Sequence, residues 1–426
     1  MRILISVCLL MASLHFAKGQ KLTAGPMVGH VTERTATIWI QSDVSGTFTC
    51  RYRPVNASHS ELVSLPSTSL ASKAFTAQIQ LGGLVPNTRY EYDVLVASQV
   101  LSSGSFQTPP PAGYSGADPL KIAFGSCVYI NDSTTDRRYK GGEYELFEAI
   151  AEQGPQLMFW LGDNIYLRPQ DWSTEEGFAY RYSHTRQLPE MQALLANTAH
   201  YAIWDDHDYG PNDSDRSFVG KEIALKWFNH FWANPPSHPA VGGIATAFSW
   251  GDVDFFLTDN RSFRSPQKRS SGNRTVLGEV QREWLVDALA FSEAKVKVVV
   301  MGGLFLSSMD NPLSQNYIVN YAEERQWLLD ELEANGINNV IFLTGDKHFS
   351  EVSSMALPNG NQLYEFASSP LTANVNTRDD INVYRLPGSH IQQRNFGLLT
   401  ISKDLLTIKF LDSQGQTLYI KNITIN

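Results

Sequence analysis

"YAIWDDHDYG", residues 201–210, runs an apolar, strand-like stretch straight into Asp205, Asp206, His207 and Asp208. Like charges this close repel, and burying them is costly unless cations or hydrogen bonds compensate. The arrangement recurs along the chain. "KIAFGSC" ends at Cys127, and "LMFWLGDNIY" ends at Asp163 with Tyr166 three residues on. "VDFFLTDNR" ends at Asp259 and Arg261, and "NVIFLTGDKH" ends at Asp346 and His348. Each stretch is a short apolar run, as expected of a strand buried on both faces. Between them lie helix candidates: "GEYELFEAIAEQG", "EVQREWLVDALAFSEA" and "NYAEERQWLLDELEANG", the last stopped by Gly336. Strands and helices in alternation predict an α/β fold with a buried sheet covered by helices. Binding sites in such sheets gather at the carboxyl ends of strands. Five strand ends carrying carboxylates, imidazoles, a phenol and a thiol therefore predict one shared polynuclear metal site, whose cations absorb the charge of 205–208.

The rest of the chain frames that site. It has 426 residues, 42% hydrophobic and 18% charged, enough for two or three domains with real cores. The formal charge of −9 argues against a nucleic-acid partner, other than as a substrate. Residues 1–19 have a short positive start at Arg2, a mostly apolar run from Ile3 to Phe16 and small residues before Gln20. This reads as a secretory signal peptide, too short for a membrane span, and no later stretch is apolar for long enough to be a transmembrane anchor. The expected location is secreted or periplasmic. Nothing pushes toward self-association, so a monomer is expected.

Residues 20–108 carry short strands such as "TATIWIQS", "TFTCRYRP" and "TRYEYDVLV", separated by Gly, Pro and Ser-rich turns, and predict a β-sandwich. "GLVPNTRYEYDV" resembles the fibronectin type III pattern, with Trp39 as a core tryptophan and Tyr90 as a tyrosine-corner residue. Residues 109–117, rich in proline and glycine, form a linker by composition. The second domain is expected over 118–426, turning strand-rich again after about residue 352.

"FGSC", "LGDNIY", "IWDDHD", "TDNR" and "TGDKHFSE" resemble, in order, the motifs of the PhoD-like alkaline phosphatases, a branch of the calcineurin-like metallophosphoesterases. The resemblance covers essentially the whole mature chain. It implies an N-terminal β-sandwich followed by a metallophosphoesterase α/β/β/α sandwich. It also implies roles. Cys127, Asp163, Tyr166, Asp206, Asp346 and His348 would hold the metals, with Asp163 bridging and Tyr166 binding a ferric ion as phenolate. His207 would contact the substrate phosphate or protonate the leaving oxygen. The implied cofactors are Fe3+ and Ca2+, while the residues alone permit Zn2+ or Mn2+. The implied substrate is a phosphate ester, monoester or diester, attacked in line by a metal-bound hydroxide. Arg261 is placed, by its position alone, to clamp phosphate with its guanidinium.

Cys127 has a second reading, since an oxidising compartment permits a disulfide with Cys50. Two segments depart from the family pattern: "SQNYIVNYAEER" lacks a tryptophan, and "MGGLFLSS" lacks a glutamine. Both are expected to line the pocket. Two rival readings are a non-catalytic fibronectin-like adhesin with a degenerate phosphatase domain, and a structural protein stabilised by calcium at acidic loops such as "GPNDSD".

Overall fold

The computed structural model describes residues 20–57, 60–114, 118–138, 140–309 and 317–425. Residues 1–19, expected to be a signal peptide, and residues 314–316 of the tryptophan-lacking segment lie outside these.

The apolar runs are strands. Leu120–Gly125, Leu157–Leu161 and Ala199–Ile203 are adjacent and parallel, as are Val253–Leu257, Val296–Val300, Val340–Thr344 and Gln362–Ala367 in a second sheet. Every residue of Leu157–Leu161, Ala199–Ile203, Val296–Val300 and Val340–Thr344 is buried, which is why these strands lack a polar alternation. The sheets meet through a stack of rings. Phe159 and Tyr201 of the first face Phe255 and Phe248 of the second, with centroids 5.0 Å apart for Phe159–Phe255 and 4.0 Å for Tyr201–Phe248. Helices cover the structure. Ala322–Ala334 buries Leu328, Leu329 and Leu332 against the second sheet's core, and Gly336, at φ 62°, follows its end. The architecture is the mixed α/β type expected.

The N-terminal strands hold a surprise. Gly46–Pro54, Arg89–Val96 and Gln99–Gln107 form a sheet with two short strands. The other face expected of a sandwich, Leu22–Val31, Ala36–Ser42 and Thr76–Leu81, is not a separate sheet. Leu22–Val31 pairs in parallel with Ala199–Ile203 through Val28 and Ala199, so one nine-stranded sheet runs from Thr76–Leu81 to the C-terminal Thr417–Thr424. Hydrogen bonds reinforce the join: Val31 N donates to the Tyr201 hydroxyl (3.2 Å), Tyr92 Oη to Ala196 O (3.0 Å), and Trp39 Nε1 to His230 O (2.7 Å). Trp39 is fully buried, but against helix Lys221–Phe231 of the second region, its ring 5.6 Å from Phe231. Tyr90 makes the corner contact, accepting from Val85 N at 2.9 Å.

Candidate metal centre

Because the carrying strands are parallel, their carboxyl ends lie on one edge, and the loops that follow interlock. Cys127 N donates to Gly162 O (3.2 Å), Val128 N to Asp163 O (2.7 Å), and Leu167 N to His207 O (3.2 Å). Asp346 N reaches across to Ser126 Oγ at 3.1 Å. Such close passage requires small residues. At Gly162, φ 96°, an added Cβ would lie 2.6 Å from the Asp205 Cβ. At Gly345 it would lie 2.4 Å from Ser126 Oγ.

Among the described residues two groups of candidate ligating atoms result, each with its atoms within 4.8 Å of one another: Cys127, Asp163 and His348, and Asp163, Asp206 and His207. Asp163 belongs to both. The Cys127 sulfur is 3.7 Å from Asp163 Oδ2, and the Tyr166 hydroxyl is 3.2 Å from His348 Nε2. The Tyr166 and His207 rings lie 4.4 Å apart. Asp346 stands outside the two tight groups, its carboxylate paired with the ammonium of Lys347. Cys127, Asp163, Asp346 and His348 all have left-handed backbones, with φ of 64°, 52°, 73° and 57°. That conformation costs an L-residue about 1–2 kcal/mol and concentrates at functional sites.

The acids of 205–208 are compensated in different ways. Asp208 is structural: its oxygens accept from the backbone N–H of Asn164 (2.9 Å), Ile165 (3.2 Å) and Asp205 (2.9 Å). It thereby fastens the "GDNIY" loop to the "WDDHD" loop. Asp205 is held by Arg261, whose Nε donates to Oδ1 at 2.5 Å. Asp206 accepts from the backbone N–H of His207 (3.0 Å) and Asp213 (2.7 Å), and Asp163 Oδ1 accepts from His207 N (3.2 Å). Burial, then the charges of Asp206 and Cys127, drives the Asp163 carboxyl far above the usual carboxylate range. Burial pushes the Cys127 thiol up to about 12, with bonds from Ser126 and Ser369 pulling the other way. It also lowers the His348 imidazole, favouring the neutral form that binds metal, and lowers that of His207, on which the Asp206 charge pulls the other way. A thiol, a phenol, imidazoles and carboxylates, buried and mutually repelling when ionised, are the donor set a pair of cations would complete.

Arg261 does not sit as a phosphate clamp would. Its side chain is 1% exposed; Nε and Nη2 face Asp205, and Nη1 donates to Ser214 O at 3.0 Å. Asp259, at the same strand end, accepts from Trp204 Nε1 and from the backbone N–H of Arg261 and Ser262. It supports the loops from behind. No disulfide joins Cys50 and Cys127: both are free and buried, Cys50 inside the N-terminal region.

Several residues escaped the sequence reading. The Tyr129 ring lies 5.0 Å from that of Tyr166, and the Arg168 guanidinium lies 4.2 Å above Tyr129. Ser369 follows strand Gln362–Ala367, one more parallel strand end, and its hydroxyl is 3.2 Å from the Cys127 sulfur. The strand-end rule would have reached Ser369 had that strand been recognised as parallel.

Comparison with known proteins follows the same line. The family described as PhoD-like phosphatase matches residues 126–404, and a domain of unknown function, DUF7800, matches residues 19–112. Alkaline phosphatase D of Bacillus subtilis (strain 168) is 24% identical over 331 residues, covering 67% of this chain and 55% of that protein. The chain thus spans about half the length of this curated relative. A solved structure of PhoD superposes with a TM-score of 0.79 at 17% identity, covering 95% of this chain and 92% of that one. The purple acid phosphatase PPD1 from yellow lupin (Lupinus luteus) seeds gives 0.70 at 12% identity, covering 94% and 74%. At these identities the two structures speak to fold alone.

Proposed function

The chain belongs to the PhoD-like phosphatase family, and from that premise we propose that it is a metal-dependent phosphatase or phosphodiesterase, secreted or periplasmic, that hydrolyses phosphate esters. The observation that carries the reading is the position of Asp163, common to two trios of ligating atoms. A carboxylate has two oxygens, and one placed between two donor groups can bridge two cations. Cys127, Tyr166 and His348 would hold one cation, and Asp206 with Asp346 would complete the shell of the other. Fe3+ with Ca2+ is the proposed pair, Zn2+ or Mn2+ the alternatives. When bound, such a pair neutralises the non-bridging phosphate oxygens and lowers the pKa of water enough to supply hydroxide near neutral pH.

The chain's own residues do the rest. His207, its ring against Tyr166, contacts the phosphate or delivers a proton to the departing oxygen. Arg261 acts through Asp205: it neutralises that carboxylate and holds the 210–216 loop by Ser214 O. We assign it positioning rather than phosphate clamping. Asp208 keeps the two acidic loops in register. Residues 20–108 are taken as the sandwich-like region, 109–117 as the linker and 118–426 as the catalytic domain, with sheet pairing crossing between the first and the last. That continuity and the assembled donor set disfavour the adhesin reading. No helix among the described residues is long and apolar enough to cross a membrane.

The test is elemental analysis of the protein as isolated, with hydrolysis of p-nitrophenyl phosphate and bis-p-nitrophenyl phosphate before and after chelation. Iron with at least one divalent cation, activity lost on chelation, and a large fall with Asp163→Asn are expected. Full activity in metal-free protein would end the proposal, and the ratio of the two substrates separates monoesterase from diesterase.

A further inference from the structure

The Cys127 sulfur is approached from two sides by buried hydroxyls. Ser126 Oγ and Ser369 Oγ each lie 3.2 Å from it, and all three side chains are inaccessible to solvent. Each hydroxyl is itself fixed from behind by a backbone N–H. Asp346 N donates to Ser126 Oγ at 3.1 Å, and His348 N donates to Ser369 Oγ at 3.0 Å. The result is a pair of parallel relays that converge on one sulfur, from Asp346 N–H through Ser126 and from His348 N–H through Ser369. The donors alternate along the "GDKH" turn, where Asp346 and His348 both take left-handed backbones. With a lone pair of each hydroxyl occupied by an N–H, its proton must point elsewhere. For Ser369 the acceptor within reach is the sulfur. Ser126 has a second choice, Ser368 O at 3.3 Å.

We propose that Ser126 and Ser369 are positioning residues of the metal centre, whose hydroxyls donate to the Cys127 sulfur, draw electron density from it and tie it to the backbone of the two late ligands. The proposal rests on Cys127 being a metal ligand. Hydrogen bonds to a ligating sulfur withdraw charge from the metal–sulfur bond, and such outer partners orient the ligand and tune the metal. The relay also ties residues distant in sequence to one geometry: a shift of the "GDKH" turn would carry the two N–H groups away from the hydroxyls they hold against the sulfur.

The experiment uses the full chain, stripped of metal and reloaded with cobalt(II), whose thiolate complexes absorb by sulfur-to-metal charge transfer. Wild-type protein should show such a band and Cys127→Ala should lack it. Ser369→Ala should move the band to lower energy, because sulfur that loses a donor gives up charge more readily. It should also weaken cobalt binding by roughly tenfold or more. Ser126→Ala should move the band less, and Ser369→Thr, which keeps a hydroxyl, should leave it near the wild-type position. A purely structural serine would alter metal content without this graded spectral shift. A Cys127-dependent band unmoved by either alanine overturns the relay alone. A wild type without any Cys127-dependent band overturns the ligand reading and the relay with it. Should the serine variants fail to fold, resonance Raman of the wild type decides: the cobalt–sulfur stretch should shift between H2O and D2O, and an unshifted stretch refutes the hydroxyl donors.

Discussion

Replacing Arg261 with Met separates the two roles open to this residue. The guanidinium is 1% exposed and faces an Asp205 carboxylate that is also 1% exposed. Burial alone would lower its affinity for a proton, yet the charges of Asp205, Asp206 and Asp346 hold it firmly protonated. Burial already raises the Asp205 carboxyl to about 7 against the pull of Arg261, so removing the guanidinium strands the carboxylate or forces it to take up a proton, at a cost of about 3–5 kcal/mol. The loss of the bond to Ser214 O adds about 1 kcal/mol. In urea, with a slope of about 3 kcal/mol per M or more for a chain this long, the unfolding midpoint of Arg261→Met should fall by roughly 1–2 M. Adding Asp205→Asn removes the stranded carboxylate and should restore part of that loss, so the double variant should lose clearly less than the sum of the singles. Catalysis of the variant that remains folded should decline mainly in kcat, because Asp205 adjoins Asp206 in the metal loop. The reasoning fails if Arg261→Met unfolds at the wild-type urea concentration while KM for p-nitrophenyl phosphate rises tenfold or more. That outcome would return the guanidinium to the phosphate.

Other perturbations test the scaffold. Gly162→Ala places a Cβ 2.6 Å from the Asp205 Cβ on a left-handed backbone. It should cost roughly 2–5 kcal/mol and lower bound metal, as read by urea unfolding and elemental analysis; normal stability would refute the close approach. Glu365 is buried with its oxygens accepting from Phe305 N (2.6 Å), Leu306 N (3.1 Å) and Ser307 N (3.2 Å), and burial outweighs those bonds, pushing its carboxyl from 4.5 up to about 7. The folded state then binds this proton more tightly than the unfolded state, so its contribution is full below about pH 4.5 and is lost as pH rises to about 7, by about 3 kcal/mol. Urea unfolding of metal-free protein across that window should show the decline, and Glu365→Gln should make it shallower, leaving the part due to Asp205 and Asp208, whose buried carboxyls are raised to about 7 and about 8. Thiol titration of the unfolded mature chain should find both Cys50 and Cys127 reduced, with Cys50→Ser fully active; a disulfide-bound pair would contradict the separation of the two sulfurs.

The strands and their acidic ends were legible because burial on both faces writes itself as unbroken apolar runs such as "LMFWL", and a polar residue directly after such a run has few places to go but the strand's end. What the sequence hid was the pairing between distant segments. Val28 meets Ala199 across a separation that no local pattern encodes, so three strands of the expected sandwich join the catalytic sheet. Trp39 was recognisable as a core residue, but not as one packed under helix Lys221–Phe231. Arg261 was read from its place in "TDNR", yet nothing local says whether an arginine points toward a ligand or back into a carboxylate. Ser126 stands inside "FGSC" and Ser369 just past a strand end, but their type alone does not say that a sulfur lies beside them. A serine becomes a partner of the site only through what stands beside it.

The energetics of the site explain why so large a framework surrounds so few ligands. Four of the proposed ligand positions have left-handed backbones, at about 1–2 kcal/mol each, and the Asp163 carboxyl lies beside the Asp206 charge where burial opposes its ionisation. Left to themselves these loops would relax apart. Three features prevent it: Asp208 collects three backbone N–H groups from two loops, Gly162 and Gly345 admit approaches that a Cβ would forbid, and the sheet beneath is extended to nine strands by the N-terminal segment. The strand that leads to Asp206 and His207, Ala199–Ile203, is secured along one edge at two places. Leu22–Val31 meets its first residue, through Val28 and Ala199. Nearer the acidic loop the Asn234 side chain takes the place of a neighbouring strand, accepting from Ala202 N at 3.0 Å and donating to Ala202 O at 2.7 Å. The N-terminal segment thus anchors the start of the strand, and one amide side chain satisfies the backbone beside the loop, where a continued strand would crowd the site.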